Sequence, residues 1–427
     1  MAKISVKHYT NTMASAPQLD NEWGELTGLL DAVLVNGFGF KTIDSITRVG
    51  NIATATVSTG HPYGIGQVLA IAGCDQAEYS GEFRVLNISS STFDFEVQGA
   101  PASPATTASA ISAKVAPLGF EIAFSATNKR AYRSTHPESA KPLLVVYDGL
   151  KTPGYTTSWA KWANVGIAES MSDIDTITGA QAPFDPLAPK KNWQQTQANQ
   201  WGWFKWYWAR PNPTNYIDTT NAQSGVKNWV LVGDDRYFQI WINPYGNNQG
   251  APGYRHPYQF GEPTSFKAED AYCCVLVADD HLQSNSYYGA SGASAPGMDA
   301  GGGLATNGNS IGHTVLKNYS GLVPAVGWSA WHIAGISGRT ATLPLPNGPD
   351  YAIWMQPIYM REDGGHARAL MPGVACLPHE LPLPDMSIVN NVQGQSGKKW
   401  MVIAQSAPAG SSFYSGQVAV DITGPWR

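Results

Sequence analysis

The pattern that most restricts this chain is its punctuation. From about Phe40 onward, apolar residues come in short runs, and Gly or Pro closes many of them. Such runs suit strands, and almost none carries the 3.6-residue spacing of a helix. The 44 Gly and 29 Pro, about a sixth of the 427 residues, favour turns over long helices. The fold class that follows is mainly β. We expect a small antiparallel β-sandwich or barrel module, a larger β-sandwich-like domain with long loops, and one N-terminal helix.

That helix lies in NEWGELTGLLDAVLVNGFG. Leu26, Leu29, Leu30, Val33 and Leu34 fall at i, i+3, i+4, i+7 and i+8 and form one apolar stripe. Asn21 is placed to cap its start, with Glu22 and Glu25 near the positive end of the dipole. Gly37 suits the left-handed residue just past its end. Residues 1–38 therefore read as an arm and helix packed on the large domain or on a neighbour.

Residues 39–115 read as the small module. NIATATVST, GQVLAIAG, GEFRVLNIS, TFDFEVQG and AISAKVA are its candidate strands. Alternation within IATATVS and TFDFEV gives each one buried and one wet face. The stretch GAPASPATTASA, residues 99–110, reads as a linker or mobile edge. Residues 116–427 continue the vocabulary as a large β-rich domain, with LLVVYDG, NWVLVG, YFQIWINP, AYCCVLVAD, YAIWMQPIYM, KKWMVIAQS and QVAVDITG as strands. NWVLVG and RYFQIWI form a hairpin around Asp234–Asp235, with Gly233 available for positive φ. The Gly-rich stretch 287–312 is too poor in side chains for a regular element and reads as a loop ordered by a partner.

Composition removes several function classes. A net charge of −5 with 14% charged residues provides no basic face for nucleic acid. No run of about 18 apolar residues offers a membrane span, and the first residues lack a secretory apolar core. Synthesis in a cytoplasm is the expectation. Cys74, Cys273, Cys274 and Cys376 have no metal-site spacing and read as small buried hydrophobes, with the Cys273–Cys274 pair in a strand pointing to opposite faces. No metal or cofactor is expected.

The motifs with chemical potential are each weak alone. GNSIG at 308–312 matches a nucleophile elbow, yet no strand precedes it and no helix follows. The nine histidines show no metal-ligand pairing. Asp173 and Asp175 lie before Gly179 as in a calcium loop, without the rest of that pattern. Asp234, Asp235, Asp279 and Asp280 could supply paired carboxylates for glycoside hydrolysis, but no spacing selects two of them. The most unusual stretch is Trp201 to Trp208. As a strand it places Trp201, Trp203, Lys205 and Tyr207 on one face and Phe204, Trp206 and Trp208 on the other. Trp201, Trp203, Trp206 and Trp208 are thus the candidate binding residues, with three readings open: buried core, oligomer interface, or a platform for sugar rings.

Read together, APQLDNEWGELTGLLDAVLVNGFG resembles the opening of a family of tailed-bacteriophage virion proteins, with its A-P-x-L…G-x-L…L-L-D-x-x-L-V-x-G-F-G pattern. The stretch from Ile52 to Val97 resembles a small β-module of phage tail, baseplate and fibre proteins, with Ser80-Gly81 where that module usually has Asn-Gly. ANVGIAESMSDIDTITG, WVLVGDDRYFQIWI, FGEPTSFKAEDAY and DITGPWR are similar to further signposts of the family, in the same order. The resemblance implies a virion structural subunit near the tail or baseplate, with no catalytic residues, made in the host cytoplasm. Its implied partners are copies of itself, as a trimer or hexamer, and other tail proteins. A host-surface glycan receptor-binding protein, a head-associated decoration protein and a polysaccharide depolymerase are the alternatives.

Overall fold

The computed structural model describes residues 4–150, 156, 160–184, 204–210, 221–246, 255–270, 272–278, 312–317, 325–332, 349, 351–361, 367–379, 383–390, 392, 394–406 and 415–427. Its strands form three antiparallel sheets and one short hairpin, Met171–Asp173 with Thr176–Ile177.

The first sheet has seven strands, in the order Phe38–Ile43, Ile111–Val115, Val68–Ala72, Gly81–Ile88, Thr92–Glu96, Ile52–Thr56 and Ser45–Val49. Alternation decides its faces. Ala53, Ala55, Phe93 and Phe95 are buried, while Thr54 and Asp94 turn outward and share a 2.8 Å hydrogen bond. The small Ala side chains face inward because the phenyl rings already fill that space; the Phe83 and Phe95 centroids lie 4.7 Å apart. Ile52, the largest apolar residue of its strand, consequently faces solvent.

The 99–110 stretch, expected as a linker, is a fastened loop. Ser103 Oγ accepts from Arg48 N at 2.9 Å, Ala102 O from Tyr79 Oη at 3.2 Å, and Ile46 O from Ala105 N at 2.8 Å. Its small residues permit this close approach to the sheet.

A second sheet runs Gln181–Ala182, Trp162–Ala168, Leu143–Tyr147, Lys129–Ser134 and Phe120–Ala126, with Phe204–Tyr207 also paired to Trp162–Ala168. The third has thirteen strands. It begins with Lys7–Thr10, Trp229–Gly233, Tyr237–Ile242, His256–Gly261 and Val275–Val277. It continues through Gly312–Val315, Ala325–His332, Gln356–Arg361, Ala367–Cys376, Ser415–Asp421, Trp400–Ser406 and Ile388–Val389, with Thr264–Ser265 against Ala367–Cys376. Residues expected as one large domain are therefore divided between two sheets.

The Trp229–Gly233 hairpin explains how the layers join. Trp229 and Leu231 enter the core shared with the helix and the first two sheets, whereas Val230 and Val232 enter a second core. A strand covered on both faces reads as an unbroken apolar run, as this one does. The hairpin turn differs from expectation in its chemistry. Gly233 stays within the strand, and Asp234 makes the turn by accepting from Arg236 N and Tyr237 N at 2.8 and 2.7 Å.

Helix α1 covers Glu25–Leu30 and continues as a π-turn over Asp31–Asn36. All five stripe residues are fully buried. The regular helix stops early because Leu118 N and Gly119 N bond to Val33 O and Leu34 O, at 2.9 and 3.1 Å. Asn21 is not the cap. Gly24 holds that position at φ 93°, and the carboxylate of Asp148, distant in sequence, accepts from Gly24 N and Leu26 N. Gly37 does carry positive φ (72°), and a Cβ there would lie 2.3 Å from Val115 O.

Candidate functional site

Phe204–Tyr207 is the described strand of the Trp-rich stretch; among the described strands it pairs with Trp162–Ala168 alone, and all four of its residues are buried. Phe204, Trp206 and Trp208 are 0% exposed and join the main core. Trp206 stacks on Tyr258 with centroids 5.6 Å apart, and its Nε1 donates to Val277 O at 2.9 Å. Trp208 Nε1 donates to Asp148 Oδ1 at 3.1 Å. The platform reading is thereby corrected for Trp206 and Trp208: both indoles have their faces covered and their N–H groups satisfied. Trp201 and Trp203 lie outside the described residues.

The opposite face of this strand carries cations against rings. Lys205 Nζ sits 4.2 Å from the Trp162 ring centroid, and the Arg210 guanidinium 3.9 Å from that of Tyr207. Cation–π contact offsets part of the cost of burying these charges. Beside them His256 reaches Tyr258 Oη at 3.2 Å; burial and the Arg210 charge hold its pKa well below the usual range.

The remaining motifs take structural positions. Asp234, besides making its turn, binds Arg427 through both oxygens at 3.0 and 2.9 Å. A carboxylate so engaged is not placed for proton transfer, and Asp279 and Asp280 fall outside the described residues. Asp173 accepts from Asp175 N within the short hairpin, and Asp175 pairs with Lys129. Of the GNSIG motif only Gly312 is described, at the start of a strand. Cys273 and Cys376 are buried, which pushes each thiol up to about 12. Cys274 is buried too, but Cys74 is half-exposed, contrary to expectation. Regular strand pairing starts at Val275, yet Cys273 and Cys274 still enter opposite cores. Among the described residues no group of three His, Cys, Asp or Glu converges as a metal site, and no helix is long and apolar enough to cross a membrane.

Two surface features remain. The first is apolar. Six of the thirteen large apolar side chains exposed among the described residues belong to the seven-stranded sheet and its loops: Phe40, Val49, Ile52, Ile65, Leu86 and Ile88. Val49 and Ile52 oppose each other at one hairpin end, with Val49 86% exposed. Phe40 and Ile65 are about two-thirds exposed. Alternation predicts a wet face here, but not that apolar groups would hold part of it.

The second is a cleft of about 290 Å³ in the third sheet, lined in part by Met355, Met371, Gln395, Lys398, Trp400 and Trp426. Asp421, opposite Trp400 in the strand register, closes one side. Its carboxylate accepts from Lys398 Nζ at 2.6 Å and from Thr423 N and Gly424 N at 2.8 and 3.1 Å. Trp426 Nε1 donates to Asp421 O. The indole of Trp426 lies flat against Gly373, where φ is 64° and a Cβ would meet the ring at 2.0 Å. None of these residues was singled out from the sequence as part of a site, because they come from four separate segments. The expected strands YAIWMQPIYM, KKWMVIAQS and QVAVDITG and the signpost DITGPWR each hold some of them.

No family model matches this chain, and no curated protein matches it. Among solved structures, the phage phi92 endosialidase is similar to it over 91% of this chain and 71% of that chain, at 10% identity and a TM-score of 0.17. A superposition at that score is weak and carries no argument about function.

Proposed function

We propose that this protein is a bacteriophage virion component of the tail or baseplate, acting without catalysis through contacts with copies of itself and with other tail proteins. The observation that carries the reading is the apolar surface of the seven-stranded sheet. The sheet spans less than a fifth of the chain and has a filled core, yet it holds six large apolar groups against water. Val49 and Ile52 oppose each other at one hairpin end, and adjoining exposed apolar groups of this kind are where another protein can dock. The motif resemblance at residues 16–39 and 52–97 supplies the kind of assembly and with it a trimer or hexamer, and symmetric closure makes that oligomer cyclic.

Light scattering and native mass spectrometry of the purified chain test this directly. The wild type assembles into a closed oligomer, and the Val49→Glu/Ile65→Glu double variant shifts it to monomer with unchanged circular dichroism. A wild-type chain that stays monomeric at high concentration and captures no tail protein overturns the reading.

A further inference from the structure

Residues 4–8 link the third sheet to the seven-stranded one, and two side chains of a single strand hold them there. Glu82 and Arg84 alternate with buried residues along Gly81–Ile88, so both turn away from the core of the seven-stranded sheet. The Glu82 carboxylate accepts from Ile4 N and from Lys7 Nζ, each at 2.9 Å. Arg84 donates to Val6 O at 3.3 Å and to Gly66 O at 2.9 Å. We propose that Glu82 and Arg84 form an acid-opened clasp, from which protonation releases residues 4–8 while the rest of the fold stays closed.

Charge counting gives the direction. At neutral pH two cations, Lys7 and Arg84, stand around one carboxylate. Lys7 is 1% exposed, and its ammonium is held by Glu82 and, at 2.8 Å, by Pro117 O. Protonating Glu82 takes the countercharge from a buried ammonium, which is far costlier than losing a surface pair. His8, the next side chain, supplies a second step. Burial and the Arg84 charge hold its pKa down to about 4, so the closed clasp excludes its proton. In the opened segment the imidazole titrates near 6.5. Acid thus sets three cations, Lys7, His8 and Arg84, where there were two. The other carboxylate facing Arg84 is Asp421, which already accepts from Lys398. Tyr9 stays protonated throughout, because burial raises its pKa well above the usual range. Since the open form binds the extra proton, His8 alone raises the open-to-closed ratio about a hundred-fold between pH 7 and 4.

The opening is local for a structural reason. The strand Lys7–Thr10 ends the third sheet and has one neighbour there, Trp229–Gly233. Segments with so few neighbours open at a lower free energy than the core. Val6 is fully buried and packs against Gly424, where a Cβ would lie 2.6 Å from its Cγ2. Release therefore bares an apolar side chain and part of the Trp229–Gly233 edge, so the acid form is the one that pairs with other chains.

Amide hydrogen exchange on the full chain, read by mass spectrometry from pH 7 to pH 4 and corrected for intrinsic rates, tests the clasp. Peptides covering residues 4–8 lose protection progressively as the pH falls. Leu143–Tyr147, whose strand has neighbours on both sides, keeps its protection over the same range. His8→Gln, which takes up no proton, reduces the acid-induced gain in exchange at least ten-fold. Glu82→Gln removes the countercharge and speeds exchange of residues 4–8 about ten-fold already at pH 7. The wild-type series needs no substitution, so it decides the matter even where a variant fails to fold. Loss of protection in both regions together, full protection of residues 4–8 down to pH 4, or wild-type exchange in both variants overturns the proposal.

Discussion

At the residue scale, Asp148 does the most to join distant parts of the chain. It is fully buried, ends the strand Leu143–Tyr147, receives the first amides of α1 and holds the Trp208 indole. Removing its carboxylate leaves at least three donors buried without their acceptor. Asp148→Ala therefore costs about 3 kcal/mol or more in urea unfolding, and Asp148→Asn, which retains one oxygen, costs less. This residue shows what a linear reading loses. Capping rules correctly required an acceptor before Leu26 and named the nearest one, Asn21. The acceptor used lies 122 residues away, and no local pattern marks it.

At the scale of elements, the strands with clear alternation were legible. Ile52–Thr56, Thr92–Glu96 and Ile111–Val115 lie within the runs that the sequence marks out. Lys129–Ser134 was missed because three cations among its six residues disguise a strand; Lys129 is salvaged by Asp175 and Arg130 by Asp31. Ala367–Cys376 was missed because Pro372 and Gly373 read as a break. In the structure that pair sits inside a ten-residue strand, and Gly373 makes room for Trp426. Gly373→Ala both strains the backbone and pushes the indole from its seat. It should lower the melting temperature by several degrees, corresponding to about 2 kcal/mol, and raise protease sensitivity after residue 421. Melting and digestion indistinguishable from wild type would show that the ring does not rely on this contact. The cleft was illegible for a related reason: it is built by register between segments, and register is absent from composition.

At the scale of the molecule, stability depends on pH through groups that the fold holds neutral. His8 is held down to about 4 by burial and by the Arg84 charge. Unfolded, it titrates near 6.5, so between those values the unfolded chain binds the extra proton. Its contribution to stability is complete above pH 6.5 and is lost as pH falls toward 4. His8→Gln should therefore flatten the melting temperature across that interval relative to wild type, while the two proteins run parallel above pH 7. Parallel curves throughout would mean that His8 takes up its proton as readily folded as unfolded. The same scale governs what the Trp cluster means. With Trp206 and Trp208 committed to the interior, aromatic surface for contact is found at the rim of the third sheet and on the seven-stranded sheet instead.

The strand Lys7–Thr10 completes the edge of the third sheet against Trp229–Gly233, and Asn11 meets Asn228, 217 positions further along the chain. A ribosome delivers the first of these strands long before the second exists. Closing so large a loop is entropically slow, so the late strand emerges with its amides and carbonyls unclaimed. During that interval any sister polypeptide can occupy the vacant seam, as a swapped strand or as the seed of an aggregate. Cooler growth and slower translation should raise the soluble yield, because the chain's own N-terminal strand then has time to arrive first.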